Sequence, residues 1–577
     1  MTGSLAQGIG ERPPAAASAA DADDLGHNLC EVESGGPPMP VTYPDVWEAI
    51  ADAIPDAPAV IQGDRTLSWR VYDDRSARLA AAFQAAGLGH ESKIGMFLYN
   101  SPEYLETQYA AFKIRATPIN VNYRYLDDEL WYLLDNSDCE AVVFHSSLGE
   151  RIESVRGRLP DVRVWIQVDD DGSSHTEALA YEEVLAANEP APRIDRTGDE
   201  IYMLYTGGTT GMPKGVMRAM GTFSQFFLDS VSQTAGKPPF TTAAEAAAHA
   251  VALQESGMAD RAIPACPLMH GTGCWLAGLV THQAGGAVVL LESRGLDCDE
   301  LWRVVERQGV TKVVIVGDAF ARPMLRALDD ARDAGRPYDT SSMRTIVSSG
   351  AMFTTEVKDG LIDHIPQLAI ADVLGSTESG MARSVTTKGS DTSTAKFELN
   401  PGTQVFDEND KPVEPGSGVI GFVAATSPFT PLGYFKDPEK SARTFREIDG
   451  VMYTIPGDMA LVEADGSITL LGRGSNCINT GGEKVYPEEV EEAVKTHPGV
   501  DDCLIFGVSD ERFGQRVVGI ASVRAGTPVD PEELIAHTKT KLSPYKCPRA
   551  LVVVPEVPRA PNGKADYVTA RELSGLD

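Results

Sequence analysis

The stretch Tyr205-Thr206-Gly207-Gly208-Thr209-Thr210-Gly211-Met212-Pro213-Lys214-Gly215-Val216-Met217 decides how this chain of 577 residues is read. The apolar residues Ile201, Met203 and Leu204 lead into it as a buried strand would. Glycine carries no Cβ, so backbone N–H groups can approach an anion closely. Successive N–H groups, threonine hydroxyls and a lysine together make a cradle for a polyphosphate. A Walker A loop would place Ser or Thr after its lysine and start a helix at once. Here Gly215 follows Lys214, Pro213 precedes it, and strand-like residues come next. The competing reading is a plain Gly/Thr-rich hairpin, and the rest of the chain has to decide between the two.

Further segments follow in order. Pro267-Leu268-Met269-His270-Gly271 lies just ahead of Trp275, and no acidic residue occurs between Pro264 and Ala277. A pocket for an amino acid would need a carboxylate there, because an unpaired buried ammonium is costly. A plain carboxylic acid is favoured. Ser348-Ser349-Gly350-Ala351 ends a strand with residues small enough to admit a flat base. Gly375-Ser376-Thr377-Glu378-Ser379-Gly380 carries a hard oxygen ligand of the kind Mg²⁺ takes. A surface turn with a solvated Glu378 is the alternative. Asp458 closes Tyr453-Thr454-Ile455-Pro456-Gly457-Asp458, and an Asx turn would explain it equally well. Arg473 follows, then Thr480-Gly481-Gly482-Glu483-Lys484-Val485-Tyr486-Pro487, and near the end Pro561-Asn562-Gly563-Lys564. Taken singly, Lys484 and Lys564 would read as solvated cations.

In this order the segments resemble those of the acyl-adenylate-forming superfamily, which includes acyl-CoA synthetases, peptide-synthetase adenylation domains and luciferases. The chain is most similar to fatty acyl and steroid side-chain acyl-CoA ligases, by its insertion before Pro264 and its Gly317-Asp318-Ala319 and Leu374-Gly375 variants. The resemblance implies ATP, Mg²⁺ and coenzyme A acting on a carboxylic acid through an acyl-AMP. It implies that Thr206, Gly207, Gly208, Thr209, Thr210, Gly211 and Lys214 hold phosphates. Ser349, Gly350 and Ala351, with Gly375 and Ser376, would border the nucleotide. Thr377 would touch a phosphate, Glu378 the metal, and Asp458 and Arg473 the ribose. His270, Gly271 and Trp275 would line the acyl pocket. Gly481, Gly482 and Lys484 would line a pantetheine tunnel, with Tyr545, Lys546 and Pro548 near its entrance. Lys564 would bridge the acyl carboxylate and the α-phosphate, on a small domain that rotates about Ser475. Two departures stand out. Leu374 occupies a position where the family usually has an aromatic residue, and Ser475 one where it has Asp or Lys. Two other functions share the resemblance: an acyl-AMP ligase loading a carrier protein, and a non-catalytic acyl or nucleotide binder. A luciferase-type oxidation is demanded by no residue.

Composition sets the outer limits. The formal net charge of −33 repels nucleic acids and anionic membranes, so neither is expected as a partner. It also opposes ATP and CoA, so basic residues at the site must overcome it. The eight cysteines are scattered without a CxxC pair, which argues against zinc and for reduced thiols. No apolar run approaches a membrane span and no secretory signal opens the chain, so a cytoplasmic location is expected. Oligomeric state is left open, a homodimer included.

Alternating strand-like and helical segments predict an α/β fold with parallel sheets in a large N-terminal domain. The expected boundaries are a disordered tail over 1–40, a large domain over 41–473 and a small α+β lid over 474–577. The large domain would end in a β-rich part from about 402 to 473. Leu126, Leu130, Leu133 and Leu134 are expected on one inward helix face, Asp318 and Ser341 as helix caps, and the alanine-rich run 234–260 as a helical insertion near the site.

Overall fold

The computed structural model describes residues 41–576 apart from 174, 176, 209–210, 391–393, 481–482, 511–512, 525 and 561–562. The expected tail and the residues Thr209, Thr210, Gly481 and Gly482 therefore lie outside the described residues.

The predicted mixed α/β fold is the one observed. Its backbone is a 15-stranded sheet. Pro58–Gln62, Ala287–Leu290, Arg261–Pro264, Lys312–Ile315, Thr345–Ser349 and Ala369–Gly375 run parallel through it. Their sequences are short apolar runs, as strands buried on both faces require. Helices cover them. Cys298–Gln308 starts where the Asp297 side chain accepts from Glu300 N and stops at Gly309, φ +60°. Trp302, Val304 and Val305 of this helix face the sheet core. Beyond Ala369–Gly375 the sheet turns antiparallel, through Gly380–Thr386 and Lys396–Leu399, to the meander that ends at Ile468–Arg473. A second parallel sheet carries Thr117–Asn120, Lys93–Phe97, Cys139–His145 and Val164–Val168.

The decisive stretch is a β-hairpin. Ile201–Gly208 pairs antiparallel with Gly211–Ala219, and Gly433–Tyr434 adds to the outer edge. After Arg473 the chain makes a short 3-10 turn, Gly474–Asn476, and enters a separate sheet at Ile478–Thr480. That small sheet holds Val500–Asp510, Gly514–Val523 and Ala550–Val553 under the helices Pro487–Lys495 and Pro531–Lys539.

Four local expectations are corrected. Leu126 is 66% exposed, because it precedes the helix Asp127–Asn136 and only Leu130, Leu133 and Leu134 turn inward. Asp318 does not cap a helix: it opens Asp318–Asp333, and its carboxylate accepts from Thr354 N and Oγ1 at 2.9 Å. Ser341 starts no helix either, and its N–H donates to Asp339 in a turn. The alanine-rich run does form a helix, Ala243–Glu255, but it packs on Tyr43–Ala53 and contributes nothing to the cavity described below.

Candidate active site

Parallel strands bring their following loops to one edge, and ligands bind in the crevice outside those carboxyl ends. The loops after Arg261–Pro264, Thr345–Ser349 and Ala369–Gly375 meet there around a cavity of about 210 Å³. His270, Gly271 and Trp275 come from the first, Ser349 and Gly350 from the second, and Gly375, Ser376, Thr377 and Glu378 from the third. Thr206 of the hairpin closes one side. Gly350 takes φ +95°, a conformation glycine adopts without strain.

Lys564 arrives from the small sheet, nearly 200 residues along the chain from the nearest of these loops, and lines the same cavity. A Cβ built on Gly350 would lie 3.7 Å from Lys564 Cε. The turn bearing Lys564 is tethered: Arg559 donates to Gly563 O at 3.1 Å and pairs with Asp502. Between the small sheet and the body, Arg524 pairs with Glu356 at 2.8 Å and Arg326 pairs with Asp501. Burial lowers the Lys564 ammonium from the usual lysine range, and Arg473 adds to this, while the charges of Glu378 and Asp458 oppose it. Burial, with the Lys564 charge beside it, pushes the His270 imidazole down to about 3. His270 is therefore neutral at pH 7, and its Nε2 is buried with no hydrogen-bond partner among the described residues.

Asp458 and Arg473 face each other in neighbouring strands, Nε to Oδ1 3.5 Å. They are not part of the cavity wall but act on Lys564 electrostatically. Asp458 Oδ2 is buried and lacks a hydrogen-bond partner among the described residues. An acceptor left in that state is satisfied by an added hydroxyl. Glu378 accepts from the Tyr434 hydroxyl at 2.7 Å through Oε1. Its surroundings fit Mg²⁺, which takes one or two carboxylates and leaves its other positions to water and phosphate oxygens. Lys214 stands outside the wall, 3.5 Å from Asp437 and 5.7 Å above the Tyr434 ring, so Tyr434 connects it to Glu378.

Some expected residues are not gathered here. Ala351 packs against the core of the parallel sheet instead of lining the cavity. Lys484 is exposed on the small sheet. Leu374 turns into the hydrophobic cluster of Met381, Ala382 and Phe397, because strand alternation sends its neighbours Val373 and Gly375 to the cavity instead. Several residues were missed, among them Arg218, Phe223, Phe226, Phe227 and Phe429 of the wall and Tyr434, which holds Glu378. For Arg218 the sequence signal was a single cation in the apolar run Val216-Met217-Arg218-Ala219.

Residues 47–435 match the model of the AMP-binding enzyme family, and 489–564 match that of the AMP-binding enzyme C-terminal domain. The chain belongs to the AMP-binding enzyme family. As a member it is an AMP-forming acyl-CoA synthetase, which uses ATP and CoA to ligate a carboxylic acid through its adenylate. It is 38% identical to a 3-oxocholest-4-en-26-oate–CoA ligase of Rhodococcus rhodochrous, over 93% of this chain and 97% of that one. It is also 38% identical to the medium-chain acyl-CoA ligase Mig of Mycobacterium avium, over 92% and 98%. The crystal structure of an anthranilate CoA ligase, AuaEII, in complex with anthranoyl-AMP shares the fold at 20% identity, TM-score 0.80, over 93% of this chain and 98% of that one. Among the described residues no helix is long and apolar enough to cross a membrane.

This AMP-binding enzyme also holds a half-buried acid, with one oxygen fully enclosed, where the 15-stranded sheet meets the small one. Glu488 opens the helix Pro487–Lys495, and a Cβ on Gly472 would run into its carboxylate. Burial raises its pKa, and Glu491 and Asp458 add to this. The folded state then holds a proton that the unfolded chain releases in the ordinary carboxylate range. Stability should fall as pH rises from that range towards the raised pKa. We expect Glu488→Gln to flatten this decline, read as the melting temperature by calorimetry from pH 5 to 9. A wild-type midpoint that rises over that range would contradict the assignment.

Proposed function

We propose that the cavity adenylates a fatty or steroid side-chain carboxylic acid and that Lys564 and Glu378 carry the first half-reaction. The observation that carries this reading is the convergence of Lys564 with Thr206, Thr377 and Glu378 on the wall of one cavity. An acid with a pKa of about 4–5, like that of Glu, is already ionised at pH 7 and needs no general base. Its oxygen attacks the α-phosphorus of ATP, forming acyl-AMP and expelling pyrophosphate. Negative charge gathers on the phosphate oxygens as this happens. Lys564 meets it at the α-phosphate and the acyl carboxylate, and Thr206, Thr377 and Lys214 hold the outer phosphates. Mg²⁺, when bound, neutralises phosphate charge, and Glu378 is the residue that would hold it. Asp458 takes the ribose hydroxyls through its orphaned oxygen, beside Arg473. Neutral His270 adds no positive charge and offers a hydrogen bond near the acyl carboxylate.

The acid's remainder meets Phe223, Phe226, Phe227, Trp275 and Phe429, a largely aromatic wall that suits a bulky apolar acid. The named relatives act on steroid side-chain and medium-chain acids, which supports the same class here. In the second half-reaction the CoA thiol attacks the acyl carbonyl and AMP leaves. With Lys564 seated, the pantetheine path needs the small domain turned about the 474–476 segment, which would bring Gly481, Gly482 and Lys484 into use. A cytoplasmic enzyme, its expected 41–473 and 474–577 domains and a homodimer complete the proposal.

Pyrophosphate release with fatty, aryl and steroid side-chain acids tests the reading. Fatty or steroid acids should be preferred, and CoA should accept the acyl group where a phosphopantetheinylated carrier protein does not. Release with aryl acids alone would refute the substrate class.

A further inference from the structure

Arg218 has no place in the scheme above, yet it lines the cavity. It sits in the hairpin strand Gly211–Ala219, in register with Tyr202, and only 6% of its surface is exposed. Its guanidinium carbon lies 4.9 Å from the centre of the Phe223 ring. One terminal nitrogen donates to Thr377 O at 2.9 Å and Glu378 O at 2.7 Å. The other donates to Phe429 O. All three acceptors are neutral carbonyls, and Nε is buried without a partner among the described residues. Burial pushes the guanidinium down to about 10, and the nearby charge of Glu378 opposes the shift.

Such an arrangement is costly for stability alone. A buried cation held by carbonyls loses its hydration without gaining a full counter-charge. Its geometry is informative in return. The rigid guanidinium fork fixes direction as well as distance. It grips the backbone of Thr377 and Glu378, the two residues facing the phosphate end. Its flat face rests on Phe223, whose ring lies 5.1 Å from both Phe227 and Trp275 in the acid wall. One side chain therefore touches the acid end and the nucleotide end together.

We propose that Arg218 is a positioning residue that couples filling of the aromatic acid pocket to the placement of the Thr377–Glu378 turn. The proposal rests on Glu378 being the metal carboxylate. Acid that packs on Phe223 and Trp275 holds the guanidinium still, and the turn it grips is then ordered for the metal–nucleotide complex.

The test is a binding measurement on the full-length chain. Mn²⁺ stands in for Mg²⁺, and its free-ion paramagnetic resonance signal is followed with the non-reacting analogue α,β-methylene-ATP, with and without a saturating fatty acid. In the wild type the acid should tighten Mn²⁺ binding severalfold. Arg218→Met should weaken Mn²⁺ about tenfold and abolish the tightening by acid. Arg218→Lys keeps the charge but cannot span three carbonyls, so it should restore part of the affinity and little of the coupling. That variant carries the test if the methionine variant does not fold. A lower melting temperature with the acid effect intact would mean a structural role only and overturn the proposal. So would unchanged Mn²⁺ affinity in Arg218→Met while Glu378→Gln weakens it. If Glu378→Gln itself leaves Mn²⁺ affinity unchanged, the metal assignment falls first and this proposal with it.

Discussion

Lys564→Ala is expected to slow acyl-AMP formation by about 10³-fold and to leave thioester formation from supplied acyl-AMP within about threefold, as loss of one charge aimed at a developing anion does. The expectation follows from where the ammonium is held. It lines the cavity within electrostatic reach of Arg473, Glu378, Asp458 and His270, on a turn tied down by Arg559 and Asp502. A cation that shares a partly enclosed cavity with a phosphate acts on it more strongly than one in open water. Alanine removes the charge and leaves the α-phosphate facing a void. In the proposed scheme the second half-reaction would use another position of the small domain, with Lys564 withdrawn. Pyrophosphate release measures the first step, and CoA consumption with synthetic acyl-AMP measures the second. Equal losses in both would argue against two positions of the small domain.

Glu378→Gln is expected to lower adenylation by about 10²-fold and to raise the Mg²⁺ concentration for half-maximal rate by about an order of magnitude, a loss in the range of a single oriented electrostatic group. Glutamine keeps the volume, and its carbonyl oxygen can still accept the Tyr434 hydroxyl. Only the charge goes. The substitution therefore separates a metal carboxylate from a residue that merely holds Tyr434 in place. Rate measured against free Mg²⁺ at fixed ATP decides it, and an unshifted Mg²⁺ dependence removes Glu378 from the metal site.

The family resemblance pointed to these two residues before the fold was known, and it did not point to Arg218. Lys564 and Glu378 stand in short glycine-containing runs, Pro561-Asn562-Gly563-Lys564 and Gly375-Ser376-Thr377-Glu378-Ser379-Gly380, whose order along the chain carries the resemblance. Arg218 has no such run around it. Its acceptors lie 159, 160 and 211 positions further along the chain. Leu374 shows the same limit from the other side. It occupies a motif position, yet strand alternation turns it into the core and away from the cavity wall.

The sequence by itself determined the α/β class, a strand leading into the Tyr205–Met217 stretch and strand-like residues after it, most of the strands and helices around the cavity, and the order of the motifs. Those features depend on the period of apolar residues and on glycine and proline, which act over a few residues. Only the tertiary structure decided that Lys564 is seated beside Gly350, that Asp458 keeps an unpaired oxygen, and that Ala351 and Lys484 stand apart from the cavity. It also decided that Arg218 joins the acid wall to the turn of Glu378. Such facts depend on which distant loops the packed sheets bring together, and no local spacing encodes that.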